Sequence, residues 1–180
     1  MDKKEQRKIV KEKLEKMTED ERISASDKIF DHLKNFDAYK SAKSVFCYLS
    51  TPNEADTMNI VRHAIKRGKS VYVPKTDGDL MSMVLIDVDT EFWFNKWGIL
   101  EPKEGEPYKG EVDLAIIPLI GYDKELNRLG HGKGYYDRFL EDRKTYKLGL
   151  AFSCQELDSV ATEEHDIKLD AIINENGVIL

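Results

Sequence analysis

The chain has 180 residues and a mass of 20.8 kDa, which fits a single domain. Hydrophobic residues make up 41% and charged residues 34%, a composition typical of a folded globule and unlike that of a disordered chain or a membrane protein. The net charge of -6 has the wrong sign for a protein whose whole surface binds phosphate backbones, so we expect no nucleic-acid partner.

The amino-terminal segment, MDKKEQRKIV, has charges where a secretory signal would have an apolar core. No later apolar run approaches the roughly 18 residues that a membrane span requires. The two cysteines, Cys47 and Cys154, do not form a disulfide framework and are expected to pack as small hydrophobic groups. We therefore expect a cytoplasmic protein without membrane contacts, either a monomer or a weak homodimer.

Two helices are predicted at the start of the chain. Ile9, Val10 and Leu14 lie on one face of a charged amino-terminal helix. Thr18 and Glu21 have the spacing of a capping box, which predicts that a second helix begins there and ends near Asn35.

Strands and helices then alternate along the chain. The residue patterns predict strands at 44–50, 71–75, 80–87, 113–123 and 147–152, helices at 57–68 and 135–143, and a terminal hairpin turning at Asn176-Gly177. Residues 90–110 are expected to form a long, partly irregular surface segment. The order predicts one α/β domain over residues 1–180, with a mostly parallel central sheet and helices on both faces. Ligands of such sheets bind at the carboxyl ends of the strands.

The segment NRLGHGKGYYDR, residues 127–138, joins a predicted strand to a predicted helix. Its three alternating glycines allow the backbone amides to approach a ligand closely, and Arg128 and Lys133 add positive charge. Asp137 has the right chemistry to bind a magnesium ion shared with phosphate oxygens. The segment lacks the Walker A and dinucleotide patterns, and three glycines could also form a simple structural turn. The added charges and tyrosines favour phosphate binding.

Three weaker features surround this loop. Lys3 and Arg7 share a helical face, although basic groups on such a helix are usually only solvated. Glu54 follows a predicted strand, where a carboxylate can pair with the N–H groups of a ligand. Asp170 precedes a predicted strand and would complete a magnesium site if it faced Asp137.

Together these features resemble the 5-formyltetrahydrofolate cyclo-ligase family, also called methenyltetrahydrofolate synthetases. NRLGHGKGYYDR is similar to the glycine-rich signature of the family, and Pro118–Asp123 matches the Pro-x-x-Gly-Tyr-Asp arrangement before it. Further similar segments are the basic motif at residues 3–7, YLSTPNEADT, YVPK, WGILEP and EHDIKLD. Gln6 departs from the pattern, because an apolar residue commonly precedes the arginine, and position 131, a histidine here, varies in the family.

The resemblance implies an enzyme that uses ATP and Mg²⁺ to convert 5-formyltetrahydrofolate to 5,10-methenyltetrahydrofolate, with release of ADP and phosphate. The implied ATP ligands are Lys3, Lys4, Arg7, Arg128, Leu129, Gly130, His131, Gly132, Lys133, Gly134, Tyr135 and Tyr136. The implied folate ligands are Arg7, Leu49, Glu54, Trp97, His131, Gly132, Lys133, Gly134 and Tyr135. Lys133, Arg128 and Tyr135 are the expected catalytic groups, and Asp137 and Asp170 the expected magnesium ligands.

Two choices stay open in the sequence. Lys4 and Lys8 have the same spacing as Lys3 and Arg7, so either pair could face the nucleotide. An α/β scaffold of this kind also suits a sugar-phosphate isomerase, a coenzyme A transferase relative or a non-catalytic nucleotide-binding regulator, because a fold alone does not define an activity.

Overall fold

The structure is a computed structural model that describes residues 1–180. It contains five helices, α1 (Lys3–Glu15), α2 (Glu19–Lys34), α3 (Asp37–Ser41), α4 (Met58–Lys66) and α5 (Tyr135–Leu140). The strands are β1 (Ser44–Cys47), β2 (Ser70–Asp77), β3 (Leu80–Ile86), β4 (Phe92–Phe94), β5 (Leu100–Pro102), β6 (Pro107–Tyr108), β7 (Leu114–Ile117), β8 (Gly121–Tyr122), β9 (Arg128–Leu129), β10 (Tyr146–Leu150), β11 (Ala171–Asn174) and β12 (Gly177–Ile179).

Eight strands form one sheet in the order β12-β11-β10-β7-β1-β2-β3-β6. The five central strands, from β11 to β2, pair in parallel, and the strands outside them pair antiparallel. The predicted α/β fold with a mostly parallel sheet is confirmed. The predicted terminal hairpin is also present, with β11 antiparallel to β12.

Alternate residues of the central strands β1, β2, β7 and β11 enter two separate hydrophobic clusters, one on each face of the sheet. In β1, Val45 and Cys47 pack with residues of α1, α2 and α4, whereas Phe46 points to the opposite face and packs near Phe139 of α5. Because side chains of a strand alternate between faces, this pattern requires cover on both sides. The helices supply it, as the strand and helix order predicts.

Local capping interactions define the first two helices. Asp2 and Glu5 form a capping box at α1, and Thr18 and Glu21 form the predicted one at α2, which is followed by its C-cap residue Asn35. No helix of the structure is long and apolar enough to cross a membrane.

Two predicted segments differ in detail. Residues 90–110 are more regular than expected, because β4 and β5 form a separate hairpin and β6 joins the main sheet. The predicted strand 113–123 ends at Ile117 as β7, and a separate short strand, β8, then pairs with β9. The sequence did not predict β9, because its two residues directly precede the glycine-rich loop. This small β8–β9 ribbon brings Arg128 back to the carboxyl end of β7, where its guanidinium donates to the carbonyl of Pro118.

Candidate functional site

A cavity of about 620 Å³ opens at the carboxyl ends of the central strands. The residues after β1, the end of β2, the β4–β5 hairpin, the glycine-rich loop and the first turns of α1 surround it. This is the edge at which parallel sheets bind ligands, because loops from several strands converge there.

The glycine-rich loop, residues 130–134, forms one wall of the cavity. Gly132 and Gly134 have φ values of +95° and +69°, which side chains rarely tolerate. A Cβ at Gly132 would also lie 3.2 Å from Cζ of Arg7. The loop therefore needs glycine both for its backbone shape and for the close approach of a guanidinium.

Helix α1 brings cations to this loop. The Nε of Arg7 donates to the carbonyl of Gly130 at 2.7 Å, and Lys3 lines the same cavity. Lys4 is exposed and does not line the cavity, so the structure places Lys3 and Arg7 at the site and leaves Lys4 outside it. The choice between the two pairs depended on the angle at which α1 packs, which residue spacing does not define.

Lys3 is held by two carboxylates in the segment that precedes β11. Its Nζ donates to Asp166 and Glu163, both at 2.6 Å. Burial alone would raise the pKa of Asp166, but the hydrogen bonds from Lys3 and from the N–H of Glu163, together with the charge of Lys3, outweigh burial, and the pKa is lowered. Glu163, His165 and Asp166 present their ligand atoms within 4.8 Å of one another at the mouth of the cavity.

Arg128 and Asp137 form a buried pair below the glycine-rich loop. The Nη2 of Arg128 donates to Oδ1 of Asp137 at 2.9 Å, and only 4% of the arginine side chain is exposed. The same Oδ1 accepts the backbone N–H of Ile167, the neighbour of Asp166. The backbone of the segment that carries Asp166 therefore contacts Asp137, and Arg128 holds the Asp137 carboxylate in addition to lining the cavity.

The expected pair of Asp137 and Asp170 is not brought together. The carboxylate of Asp170 accepts the backbone N–H of Lys147 at 2.7 Å, at the beginning of β10. Asp170 precedes β11, so it lies at the amino-terminal edge of the sheet, and it does not line the cavity. The acidic side chain of that segment that does reach the cavity is Asp166, four residues earlier.

Leu129 is a second expected ligand whose side chain lies elsewhere. It is fully buried in the larger hydrophobic cluster and is absent from the cavity wall. Its position in β9 sends the side chain into the core, while its neighbours Arg128 and Gly130 face the cavity.

Glu54 lines the cavity from the loop after β1. Its Oε1 accepts hydrogen bonds from the backbone N–H and the hydroxyl of Thr51, both at 2.8 Å. Burial raises the pKa of Glu54, partly offset by these bonds. Leu49 and Tyr136 also line this region, so the carboxylate lies among apolar and aromatic groups that suit a flat heterocycle.

Trp97 extends from the turn between β4 and β5 and is 60% exposed. The ammonium of Lys133 lies 3.9 Å from the centre of its ring, which links the hairpin to the glycine-rich loop. The hydroxyl of Tyr135 donates to the carbonyl of Gly78 at 2.6 Å, so a second hairpin, β2–β3, also contacts the loop. Lys133 and Tyr135 both line the cavity.

His131 completes the loop as a neutral base. Desolvation of the imidazole, followed by the charges of Arg128, Lys11 and Arg7, lowers the pKa of His131, although part of the residue is exposed. The imidazole is therefore uncharged near pH 7, and the positive potential of the loop comes from arginine and lysine.

Several cavity residues were missed from the sequence. Glu101 is only 5% exposed and accepts hydrogen bonds from the N–H and hydroxyl of Thr76. Asp166 and Glu163 were also missed as site groups. The motif WGILEP contains Glu101 and the motif EHDIKLD contains Asp166, so both motifs carried a signal, but neither shows which acidic group faces a ligand.

Comparison with known proteins identifies the family. Residues 1–175 match the 5-formyltetrahydrofolate cyclo-ligase family. The chain belongs to this family. It is 30% identical to the mouse 5-formyltetrahydrofolate cyclo-ligase over 93% of this chain and 91% of the relative. The NMR structure of Aquifex aeolicus 5,10-methenyltetrahydrofolate synthetase superposes with a TM-score of 0.87 at 33% identity, covering 99% of this chain and 92% of that one.

A second solved structure, the 5,10-methenyltetrahydrofolate synthetase of Mycoplasma pneumoniae, gives a TM-score of 0.74 at 27% identity, with 97% of this chain and 99% of that chain covered. The resemblance to the cyclo-ligase family is thus confirmed over nearly the whole chain. The cavity described above is the candidate active site of this family member.

Proposed function

We propose that this protein is a 5-formyltetrahydrofolate cyclo-ligase that couples ATP cleavage to formation of 5,10-methenyltetrahydrofolate. The observation that carries the proposal is one cavity with two chemically different sides: the cations Lys3, Arg7 and Lys133 with a glycine-rich loop, and the half-buried carboxylate Glu54 in the loop after β1. A triphosphate matches the first side, and the N–H groups of a pterin match the second.

The reaction explains why both sides are needed. A formyl oxygen is a weak nucleophile and a poor leaving group, so it first attacks the γ-phosphorus of ATP and ADP departs. N10 of the folate then attacks the formyl carbon and loses its proton, and inorganic phosphate leaves with the former formyl oxygen. The protein must hold the formyl oxygen in line with the phosphorus and neutralise charge on the moving group.

Residues of the loop and of α1 would bind the phosphates. The backbone amides of residues 130–134 and the side chains of Lys133 and Arg7 supply donors and positive charge where charge develops in the transition state. Glu54 would accept hydrogen bonds from the pterin, and Leu49 and Trp97 would contact its rings or the adjoining aryl group. No covalent nucleophile on the protein is required.

Asp137 and Asp166 would hold a magnesium ion. Both carboxylates line the cavity, the N–H of Ile167 joins the Asp166 segment to Asp137, and Asp166 clusters with Glu163, so oxygen ligands of the kind that Mg²⁺ prefers are available there. Such an ion would neutralise charge on the phosphate oxygens. Asp166 takes the role first expected of Asp170, because only Asp166 lies at the cavity. Residues of this chain supply both the cations and the carboxylates of the cavity, so we propose that a monomer is active.

The test is an absorbance assay with purified protein, 5-formyltetrahydrofolate and Mg-ATP. We expect a near-ultraviolet-absorbing methenyl product, formed with one ADP per turnover and absent without ATP. ATP hydrolysis that proceeds equally without folate, or no product with both substrates, would contradict the proposal. The isomerase, transferase and regulator alternatives predict no ATP-dependent cyclisation, so the same assay separates them from a cyclo-ligase.

A further inference from the structure

Helix α1 carries two of the cations at the candidate site, but it buries few apolar side chains. The buried residues of the helix are Gln6, Val10 and Leu14, of which only two are hydrophobic. The apolar pair lies in the middle and last turns, whereas Lys3 and Arg7 lie in the first turns. Apolar burial therefore fixes the far part of the helix better than the part that reaches the cavity.

The side chain of Gln6 anchors the first turns of α1 to the segment at residues 159–161. Gln6 is 5% exposed, and both ends of its amide are used by one short segment of the chain. Its Nε2 donates to the carbonyl of Ser159 at 2.7 Å, and its Oε1 accepts the N–H of Ala161 at 3.0 Å. Two hydrogen bonds of opposite direction set the rotation of the helix as well as its distance from the segment.

The neighbours of Gln6 on α1 are the groups that contact the site. Lys3, three residues earlier, reaches Asp166 and Glu163, and Arg7, the next residue, donates to Gly130. These three positions lie within little more than one helical turn, so fixing Gln6 fixes the origin of both cationic side chains. Gln6 itself does not line the cavity.

We propose that Gln6 is a positioning residue for nucleotide binding: its two backbone hydrogen bonds to Ser159 and Ala161 hold α1 at the angle that delivers Arg7 and Lys3 to the glycine-rich loop. The proposal rests on the cyclo-ligase function above and adds a residue to it. When only part of the population has α1 docked at this angle, the apparent affinity for ATP falls by that fraction.

The backbone groups that Gln6 pairs with support this role. An apolar residue at this position would bury apolar surface but would form no directional hydrogen bond. The carbonyl of Ser159 and the N–H of Ala161 would then lose their present partner. Buried backbone groups are nearly always paired, and an unpaired one is costly. The amide of Gln6 therefore satisfies a backbone acceptor and a backbone donor of the segment 159–161 that an apolar side chain would leave unpaired.

The experiment compares three variants. Gln6→Met keeps the length of the side chain and removes both hydrogen bonds. Gln6→Glu keeps the acceptor for Ala161 and loses the donor for Ser159. Leu14→Ala is the matched control, because it removes apolar packing from the last turn of the same helix and leaves the amide pair intact. Steady-state kinetics, ATP binding without folate, and hydrogen exchange of the amides of α1 are measured for each.

We expect Gln6→Met to raise KM for ATP and weaken ATP binding about 5- to 30-fold, with kcat at saturating ATP and KM for folate within about twofold. Amides in the first turns of α1 should exchange faster, and Gln6→Glu should lie between Gln6→Met and the wild type. Leu14→Ala should lower thermal stability and leave KM for ATP within about twofold.

Three results would overturn the proposal: unchanged exchange in Gln6→Met, faster exchange with unchanged ATP affinity, or equal loss of ATP affinity in Leu14→Ala. Exchange and direct ATP binding need no turnover. A wild type that binds ATP but forms no methenyl product would therefore refute the proposed function, while the role of Gln6 in ATP binding would still be decided.

Discussion

The two edges of the central sheet use the same acidic residue type for different purposes. At the carboxyl edge, Asp137 and Asp166 face a cavity together with basic side chains. At the amino edge, the carboxylate of Asp113 accepts the backbone N–H groups of Lys43 and Ser44, and that of Asp170 accepts the N–H of Lys147.

The difference follows from what the backbone offers at each edge. Strands β1 and β10 begin at the amino edge with N–H groups that need acceptors, and an aspartate that precedes the neighbouring strand supplies one. At the carboxyl edge the loops diverge and leave space, so carboxylates there can bind a ligand. Substitutions at the carboxyl edge should therefore reduce activity, and those at the amino edge should reduce stability.

The largest effect is expected for Lys133→Ala. Loss of the cation that we propose to contact the transferring phosphate should lower kcat/KM about 100- to 1000-fold. The side chain is exposed, so the free energy of unfolding should change by less than about 0.5 kcal/mol. The absorbance assay and urea unfolding measure the two quantities. Lys144→Ala, an exposed lysine outside the cavity, is the control, and parallel losses of folding and activity in Lys133→Ala would instead indicate a structural turn.

Asp166→Asn should raise the Mg²⁺ concentration needed for half-maximal turnover by roughly tenfold or more, because it removes a charged ligand atom from the proposed ion. A magnesium titration at fixed ATP measures this requirement. Asp170→Asn is the matched control from the other edge and should leave the requirement unchanged. If the Mg²⁺ requirement rose in Asp170→Asn and not in Asp166→Asn, Asp170 and not Asp166 would be the magnesium ligand.

Glu54→Gln should raise KM for folate about tenfold and leave KM for ATP within about twofold, since one charge-assisted hydrogen bond to the pterin becomes neutral. Burial raises the pKa of Glu54, so folate affinity should begin to fall at a higher pH than for an ordinary glutamate as the solution is acidified. Equilibrium binding of folate across pH measures both effects. Glu164→Gln changes an exposed residue next to Glu163 and should alter neither the KM for folate nor its pH dependence. If Glu54→Gln raised KM for ATP more than KM for folate, Glu54 would contact the nucleotide and not the pterin.

Asp170→Ala tests the amino edge and should lower the free energy of unfolding by about 1 kcal/mol, because the N–H of Lys147 loses its acceptor. The folded variant should keep the wild-type kcat. Urea unfolding measures the stability and the absorbance assay measures kcat. A tenfold loss of kcat with unchanged stability would indicate that Asp170 belongs to the active site.

The smallest expected effect concerns acid unfolding. Hydrogen bonds from Lys43 and Ser44 lower the pKa of Asp113 below its ordinary 3.8. The resulting stabilisation is present above the ordinary value and is lost as the pH falls through the lowered one. Asp113→Asn should therefore flatten the decline in stability below about pH 4, as measured by urea unfolding at stepped pH. An identical pH profile for the two proteins would show that Asp113 contributes nothing to it.

Most of the sheet and the principal loop could be predicted because their signals are local. The alternation in β1 and β7, the capping box at Thr18 and the turn at Asn176-Gly177 each depend on residues a few positions apart. The prediction of a ligand loop at residues 130–134 also followed from chain order, since the loop comes after a strand that ends at the carboxyl edge.

The errors within the site have a common cause. Asp170 and Asp166 belong to one short motif, and Lys3 and Lys4 are adjacent, so composition cannot separate them. Asp170 is drawn to the start of β10 by the N–H of Lys147, while Asp166 is held at the cavity by Lys3. These partners lie 23 and 163 residues away along the chain.

The sequence by itself determined the α/β class, the family and the glycine-rich loop, because strand and helix periods, glycine spacing and adjoining charges are short-range properties. Only the tertiary structure decided which cations and carboxylates share the cavity, and it showed that Gln6 joins α1 to the segment at 159–161. Those choices depend on the packing angle of a helix and on backbone groups far along the chain that need hydrogen-bond partners.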